Sequence, residues 1–279
     1  MSQNYEFLIE LVKDRKIPLV MCDFDTFKRN LKKAGYLLKI KKKYMRLCTK
    51  SVRVPELVKF VEQQDFVNGI FAFNSAEVLF YATEYQIKDI LLGYPIYSDI
   101  DAEELCQAAK VEGVNVTVMV DDAKQTRILE THAKAHNVHL DLLIEIDLSY
   151  QFLGQTVGVL RSPLKQTLEI LKLAQIIEDV ENLSLRGIMA YEAQNASLGD
   201  DKLLYRFIKR RSRVYVNKMR QNIVDKLTEA GYTLDVVNGG GSGCFQENLE
   251  EPSITEIGIG SLLFKPHIFD TINFLDIFN

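Results

Sequence analysis

The feature that most constrains the fold is a regular alternation of short apolar runs with longer amphipathic stretches. Nine runs stand out, and several of them are continuously apolar rather than alternating. Continuous apolar runs are typical of parallel strands that are buried on both faces. The predicted strands span residues 18–23, 44–49, 69–73, 89–94, 114–120, 141–147, 184–191, 235–241 and 254–261.

The segments between these runs predict helices. Residues 24–34 are amphipathic, and a second helix is predicted over 162–178, where Ser-Pro begins the segment. The charged segment 200–230 stops before Gly231, and glycine is common just after a helix ends. Strands that alternate with helices indicate an α/β protein with a parallel sheet.

Two architectures satisfy this alternation: a closed barrel with one additional strand, or an open doubly wound sheet. The length of 279 residues and the even spacing favour a TIM-type (β/α)8 barrel. We therefore predict a single domain over 1–279. In it, residues 1–43 contribute the additional strand and a helix, residues 44–265 form the barrel, and residues 266–279 begin a connection.

Polar and glycine residues follow most of the predicted barrel strands. In such barrels the carboxyl ends of the strands build the active site, so these residues should meet at one rim. They are Lys50, Asn74, Ser75, Tyr94, Asp121, Asp147, Tyr191 and the glycine tract after Val237.

The tract VVNGGGSG, residues 236–243, is the strongest local signal. Three consecutive glycines let backbone N–H groups approach a ligand closely, and Ser242 adds a hydroxyl group. Such a turn after a late barrel strand suits a phosphate group. The alternative is a flexible turn without a ligand. The tract lacks the GxxxxGK[ST] pattern, which argues against a nucleoside triphosphate.

Lys50 is the second signal. Taken alone, a lysine after a strand is usually solvated. A lysine buried at the rim would have a lowered pKa, and its neutral amine could form a Schiff base with a carbonyl group. A Schiff-base lysine and a phosphate site in one barrel are what pyridoxal 5'-phosphate (PLP) requires.

Composition excludes several other classes of function. The net charge of -4 favours neither nucleic acid nor an anionic membrane as a partner. The four cysteines form no CxxC pair, which is typical of free thiols in a reducing compartment. The first residues show no signal-peptide pattern, and no apolar run is long enough to span a membrane. We expect a cytoplasmic protein.

Six segments in this order resemble a known family: RLCTKSVRVPEL, LIEIDLSY, VGVLRSPL, GIMAYEAQ, VVNGGGSGCF and TEIGIGSLLFKPHIFD. Together they resemble the PLP-dependent fold type III enzymes, which share the alanine racemase N-terminal barrel. Within that family they are similar to D-threonine aldolase and D-serine dehydratase-like proteins and to bacterial proteins described as amino-acid aldolase or racemase-like. The resemblance covers residues from about 15 to the last residue.

The resemblance implies roles for particular positions. It implies that Lys50 is catalytic and forms the Schiff base with the cofactor, and that Tyr191 lies beside the pyridine ring. Gln194 falls where the aldolases carry a polar rim residue. Arg53 would meet a carboxylate or phosphate group, although an outward-facing arginine is the favoured alternative. The implied phosphate-binding residues are Asn238, Gly239, Gly240, Gly241, Ser242, Gly243, Gly260 and Ser261.

The chain departs from the family pattern in three places. Gln151 stands where many relatives carry an arginine, and Phe264 stands where relatives carry a tyrosine. The third departure is length: the resemblance implies a β-rich C-terminal domain, and this sequence ends at residue 279, about where we expect that domain to begin. In the aldolases that domain carries a metal site, so the resemblance implies a divalent metal only where the domain is present. His132 and His136 share one helical face, for which a solvated surface is the favoured interpretation.

These expectations lead to one function and two alternatives. The first is a PLP-dependent enzyme acting on a small amino acid, most consistent with the D configuration, by aldolase, dehydratase or racemase chemistry. The second is a non-catalytic PLP-binding protein with a homeostatic role, built on the same barrel. The third is an unrelated phosphate-binding barrel. The resemblance leaves both a homodimer and a monomer open.

Overall fold

A closed barrel of eight parallel strands forms the centre of the molecule. The computed structural model describes residues 2–152, 154–196 and 198–279. The strand order around the barrel is β1-β10-β9-β8-β5-β4-β3-β2, and β1 closes the barrel by pairing with both β2 and β10. The barrel strands are β1 (Tyr44–Cys48), β2 (Val67–Ala72), β3 (Asp89–Leu92), β4 (Asn115–Val120), β5 (Leu140–Glu145), β8 (Leu183–Met189), β9 (Val236–Gly239) and β10 (Glu256–Ile259). A separate antiparallel hairpin consists of β6 (Tyr150–Phe152) and β7 (Gln155–Val157).

Helices cover the outside of the barrel. Several begin at a polar residue that directly follows a strand, as at Asn74, whose side chain accepts a hydrogen bond from the N–H of Glu77 at 2.8 Å. No helix among the described residues is long and apolar enough to cross a membrane. The helices are α1 (Ser2–Val12), α2 (Phe24–Ile40), α3 (Pro55–Glu62), α4 (Ser75–Thr83), α5 (Asp99–Ala109), α6 (Ala123–His136), α7 (Thr167–Glu178), α8 (Ala193–Ala196), α9 (Leu203–Glu229) and α10 (Phe245–Glu250).

The apolar core has two parts, separated by the wall of the barrel. The larger part lies between the strands and the helices, and residues such as Val58, Leu129 and Ile257 are fully buried in it. The smaller part fills the barrel interior. It consists of Phe71, Leu91, Met119, Leu143, Met189 and Val236, with Cys48 and Tyr191 packed against it. Burial on both faces explains why the strands are continuously apolar.

A layer of buried charges fills the barrel towards the amino ends of the strands. Arg46, on β1, contacts Glu256 and Asp89 at 2.6 Å each, and Arg186 contacts the other oxygen of Asp89 at 2.5 Å. These side chains occupy the space below the apolar layer. The end of the barrel that remains for a ligand is therefore the opposite one, where the strands finish.

The structure confirms the α/β barrel but corrects the additional strand. Residues 18–23 form no strand, because every strand of a closed barrel already has two neighbours and no edge remains for a ninth. The helix predicted over 162–178 begins only at Thr167. The residue that was expected to begin it, Ser162, instead donates a hydrogen bond to the carbonyl oxygen of Glu145 at 2.7 Å.

The last residues pack against the barrel. Two short 3-10 turns, His267–Phe269 and Asn273–Ile277, bury Phe269 and Leu275. The backbone N–H of Asn279 donates to the Asn30 side chain of α2 at 3.0 Å, and its carbonyl oxygen accepts from the same side chain at 2.7 Å. The segment predicted as a connection is thus part of the packed outer layer.

Candidate active site

A cleft of about 210 Å³ opens at the carboxyl ends of the barrel strands. Its floor is the apolar layer of the barrel interior, represented by Phe71 and Met189, and its walls are polar. The lining residues are Cys48, Lys50, Ser51, Phe71, Tyr94, Arg161, Met189, Tyr191, Ala196, Asn238, Gly240, Gly241, Ser242, Gly243, Gly258, Gly260, Ser261 and Phe269. Nine of the twelve residues predicted for the site therefore lie on one cleft.

Lys50 reaches the cleft from a 3-10 turn, Thr49–Ser51, which directly continues β1. The Thr49 hydroxyl anchors this turn by donating to the carbonyl oxygen of Phe71, on β2, at 3.1 Å. Lys50 itself is exposed, so the expectation of a buried amine is wrong. The reason is that the turn carries the side chain beyond the last barrel residue, Cys48, to the open mouth of the cleft.

The glycine tract forms the opposite wall. Gly240 and Gly241 have φ values of 126° and 150°, which side chains other than that of glycine rarely adopt. A Cβ atom at Gly243 would lie 2.0 Å from the carbonyl oxygen of Ala196, and one at Gly240 would lie 3.0 Å from the N–H nitrogen of Gly258. The sequence needs glycine here because the turn is packed closely on its outer side while its backbone faces the cleft.

Two serines join the turns that follow β9 and β10. The Ser242 hydroxyl accepts a hydrogen bond from the backbone N–H of Leu262 at 2.9 Å, and the Ser261 hydroxyl lies 3.1 Å from it. Both serines line the cleft. The two turns are thereby held in register, and together they offer hydroxyl and backbone N–H donors to an anion.

A fully buried ion network supports the glycine turn from behind. Arg220, on α9, contacts Glu192 at 2.6 Å and Glu251 at 2.5 Å. The other oxygen of Glu192 accepts from the Cys244 thiol at 3.0 Å, and the N–H of Gly240 lies 3.4 Å from the carboxylate. Burial, followed by the Glu192 carboxylate, raises the pKa of the Cys244 thiol well above its usual value. This thiol is therefore a structural hydrogen-bond donor.

Asn238 has an unsatisfied oxygen. Its side-chain amide donates to Glu256 at 2.7 Å, whereas the buried Oδ1 atom has no hydrogen-bond partner. Asn238 also lines the cleft. Buried acceptors are normally paired, so an orphan acceptor at a cleft indicates a ligand that can donate to it.

Tyr191 and Arg161 form the third wall. The Arg161 guanidinium lies 5.1 Å from the ring centre of Tyr94 and 5.7 Å from that of Tyr191. It also contacts the buried carboxylate of Glu145 at 3.0 Å. Burial raises the pKa of Glu145 to about 7 against the opposing effect of Arg161, and burial raises the pKa of the Tyr191 hydroxyl above its usual value.

Arg161 was not predicted as a site residue, although its segment, VGVLRSPL, is one of the six that carry the family resemblance. No strand was predicted near it. The β6–β7 hairpin brings Arg161 back over the barrel, and the Ser162 hydrogen bond to Glu145 fixes the chain beside it. A lone arginine at the start of an RSPL segment gave no signal that it faces the cleft.

Three of the predicted residues lie outside the cleft. Gly239 is a packing residue, because a Cβ atom there would lie 2.7 Å from the Ile254 side chain. The Gln194 amide is buried and donates to the carbonyl oxygen of Leu148 at 3.1 Å. Arg53 is exposed, and its Nε atom donates to the carbonyl oxygen of Lys50 at 3.0 Å, which stabilises the turn rather than a ligand.

The two departures from the family pattern also lie away from the cleft. Gln151 is exposed on the hairpin and donates to the Thr156 hydroxyl at 2.8 Å. The Phe264 ring packs against the ring of Phe27, on α2, with 5.1 Å between their centres. Neither residue is among those that line the cleft.

Comparison with known proteins agrees with this geometry. Residues 22–267, most of the chain, match the sequence profile described as "Alanine racemase, N-terminal domain". The chain belongs to the alanine racemase N-terminal domain family. The resemblance predicted from six short segments and the barrel type predicted with it are therefore confirmed.

Proteins that resemble the chain are named for different reactions. A 3-hydroxy-D-aspartate aldolase of Paracoccus denitrificans (strain Pd 1222) is 24% identical over 88% of this chain and 60% of its own length. Among solved structures, D-threonine aldolase from Filomicrobium marinum has a TM-score of 0.82 at 20% identity, covering 94% of this chain and 66% of that one. D-threo-3-hydroxyaspartate dehydratase from Delftia sp. HT23 has a TM-score of 0.71 at 16% identity, covering 88% and 61%. The chain thus spans about 60% of the curated relative it matches, and these structural likenesses concern the fold.

Proposed function

We propose that the protein is a PLP-dependent enzyme that acts on a small amino acid of D configuration, with aldolase, dehydratase or racemase chemistry. The observation that carries this proposal is that a lysine, Lys50, and a glycine-rich anion turn, Gly240 to Gly243, line the same cleft. One provides the amine and the other the phosphate site that this cofactor requires. The curated relative is an enzyme, which favours catalysis over a purely homeostatic role.

The residues of the turn fit a phosphate group. Gly240 and Gly241 have backbone conformations that glycine adopts most readily, so no side chain of theirs stands between this turn and an anion in the cleft. Ser242 and Ser261 add two hydroxyl groups from the neighbouring turns. The turn is packed tightly at Gly243, so less conformational entropy should be lost in ordering it on binding than in a loose loop.

The rest of the cleft fits an aromatic ring that carries polar substituents. Phe71 and Met189 offer an apolar floor, Tyr191 a flat wall, and the Asn238 Oδ1 atom an acceptor for a donor on the ligand. When bound, PLP supplies an electron sink that stabilises negative charge at the α-carbon of the substrate. Lys50 would bind the cofactor, and its amine would accept or return a proton at that carbon.

We also propose that Arg161 binds the carboxylate of the substrate. Its guanidinium lies against the faces of Tyr94 and Tyr191 and is held from one side by Glu145. A guanidinium group has five donors in a fixed plane, so it can keep one carboxylate as a partner and accept a second. The charged end of an amino acid would then lie against the wall that Arg161 and Tyr191 form, in the same cleft as Lys50.

A cytoplasmic location and a homodimer complete the proposal. Cys22, Cys48, Cys106 and Cys244 are all free thiols, which supports a reducing compartment. The homodimer rests on the resemblance, and size-exclusion chromatography with light scattering tests it.

Addition of PLP to the purified protein tests the proposal. We expect an absorbance band at about 420 nm that borohydride treatment abolishes, since a lysine-bound cofactor is reducible. Lys50→Ala should lack the band, whereas Lys59→Ala, a partly exposed control on α3 outside the cleft, should retain it. Assays with D-threonine, D-serine and alanine, with and without divalent metal, then test catalysis. If the wild-type protein shows no such band, the proposal of cofactor binding is wrong. If it turns over no amino acid, the proposal of an enzyme is wrong.

A further inference from the structure

Two neighbouring surface helices bring together a set of metal-binding side chains. Glu103, on α5, directs its Oε2 atom towards His132 and His136, which lie four residues apart on α6. The Oε2 atom is 2.7 Å from the Nε2 atom of His136 and 3.7 Å from the Nδ1 atom of His132. Both imidazoles are mostly buried, with 19% and 18% of their side chains exposed, which corrects the predicted solvated surface.

The separations suit a small divalent ion. Zinc binds imidazole nitrogen and carboxylate oxygen at about 2.0–2.2 Å, so neighbouring ligands of a tetrahedral ion lie about 3.4 Å apart. The two Glu103 distances fall on either side of that value, and the three ligand atoms lie within 4.8 Å of one another. Small side-chain rotations would therefore complete the geometry, and a water molecule would take the fourth position.

Further contacts orient two of the three ligands. The Nε2 atom of His132 lies 3.1 Å from the carboxylate of Asp99, one turn before Glu103 on α5. The Gln107 amide donates to the Oε1 atom of Glu103 at 3.0 Å, which leaves Oε2 for the ion. In metal sites, a ligating histidine usually hydrogen-bonds a carboxylate through its other ring nitrogen, and a ligating carboxylate is itself usually hydrogen-bonded.

The two imidazoles converge on one carboxylate oxygen. The Glu103 Oε2 atom lies 2.7 Å from the Nε2 atom of His136, and the Nδ1 atom of His132 lies 3.7 Å from it, beyond hydrogen-bond distance. The Asp99 carboxylate lies on the other side of the His132 ring, 3.1 Å from Nε2. A divalent cation between Nδ1 and Oε2 would bind both atoms, while Nε2 would donate to Asp99 as the outer support.

We propose that Glu103, His132 and His136 form a divalent transition-metal site of the zinc class that links α5 to α6. None of the three residues lines the active-site cleft. The site is also distinct from the metal site that the resemblance places in a second domain. Its function is structural: the ion joins two helices that pack on adjacent strands of the barrel.

Calorimetric titration of the full chain with Zn²⁺, together with the visible spectrum of bound Co²⁺, tests the site. We expect one tight site with a tetrahedral Co²⁺ spectrum. His132→Gln and His136→Gln should each lower the affinity by at least about tenfold. His267→Gln is the matched control, because His267 is fully exposed and its partner among the described residues is Asp270. Zn²⁺ should raise the melting temperature of the wild type and of this control only.

Asp99→Asn keeps the test decisive if a histidine variant fails to fold. The Asp99 side chain is 85% exposed, so its substitution should leave the fold intact. An amide can also present its NH₂ group to His132 and select the other tautomer, so we expect weaker Zn²⁺ binding. The site is overturned if Asp99→Asn and a folded His132→Gln or His136→Gln bind Zn²⁺ as tightly as the wild type does. It is also overturned if His267→Gln loses as much Zn²⁺ affinity as the histidine variants of the site.

Discussion

Removal of Arg220 is the sharpest test of how the barrel holds its glycine turn. The Arg220 guanidinium is completely buried and neutralises two buried carboxylates, Glu192 and Glu251, at 2.6 and 2.5 Å. In Arg220→Met, Glu192 loses its counter-charge in a low-dielectric environment, and Glu251 keeps only the more distant charge of Lys43. Breaking a buried pair from one side costs about 3–5 kcal/mol of unfolding free energy. We expect Arg220→Met to fall within that range.

Urea unfolding followed by circular dichroism measures the loss. The matched control is Lys226→Met, on the same helix, which removes an exposed pair with Glu229 and should cost less than about 1 kcal/mol. A double variant, Arg220→Met/Glu192→Gln, should recover part of the loss, because one of the unpaired acids becomes neutral. The reasoning is wrong if Arg220→Met costs no more than Lys226→Met.

Three further outcomes follow from the structure. Gly243→Ala should lower the unfolding free energy by about 1–3 kcal/mol, because the new Cβ atom would clash with the Ala196 backbone. In the control, Gly258→Ala, the new Cβ atom would lie 3.4 Å from the Cys48 sulfur, which is an ordinary contact. We expect this variant to keep its stability and to bind PLP less tightly. Burial raises the pKa of Glu145 from 4.5 to about 7, so the native state binds more protons than the unfolded state between these values. The unfolding free energy should therefore fall as pH rises from about 4.5 to 7, and Glu145→Gln should flatten this slope in a pH series of urea titrations. Phe278→Ala should lower the unfolding free energy by about 3–5 kcal/mol in the same assay, because the Phe278 ring is buried. A loss below about 1 kcal/mol would show that residues 266–279 are not part of the fold.

The barrel was predictable because its strands carry a strong local signal. Runs such as 114–120 and 141–147 are apolar on both faces, and the structure places β4 and β5 there with boundaries shifted by one or two residues. Residues 18–23 carry a similar signal but stay exposed, because strand formation needs a free edge and a closed barrel has none. Local composition cannot report whether a partner strand is available.

The cleft was predictable only where a residue directly follows a strand. Lys50 and the turn from Gly240 to Gly243 meet this condition, and barrel topology alone places them at one rim. Arg161 does not meet it, since a hairpin returns it to the cleft from outside the barrel. The Arg220–Glu192 pair joins residues 28 positions apart, and nothing in either segment indicates the partner.

The histidine pair illustrates the same limit. The spacing of His132 and His136 predicts one helical face, which is correct. Their partner, Glu103, lies 33 positions before His136 on another helix. Only the packing of α5 against α6 turns a pair of histidines into three converging ligands.

The account depends most on a covalent bond between Lys50 and PLP in the cleft. The direct measurement is borohydride reduction of the PLP-treated protein, followed by proteolysis and mass spectrometry of the labelled peptide. We predict a stoichiometric label on the peptide that contains Lys50, and its loss when inorganic phosphate at high concentration competes for the turn at Gly240 to Gly243. A label on any other lysine, or no label, would contradict the account.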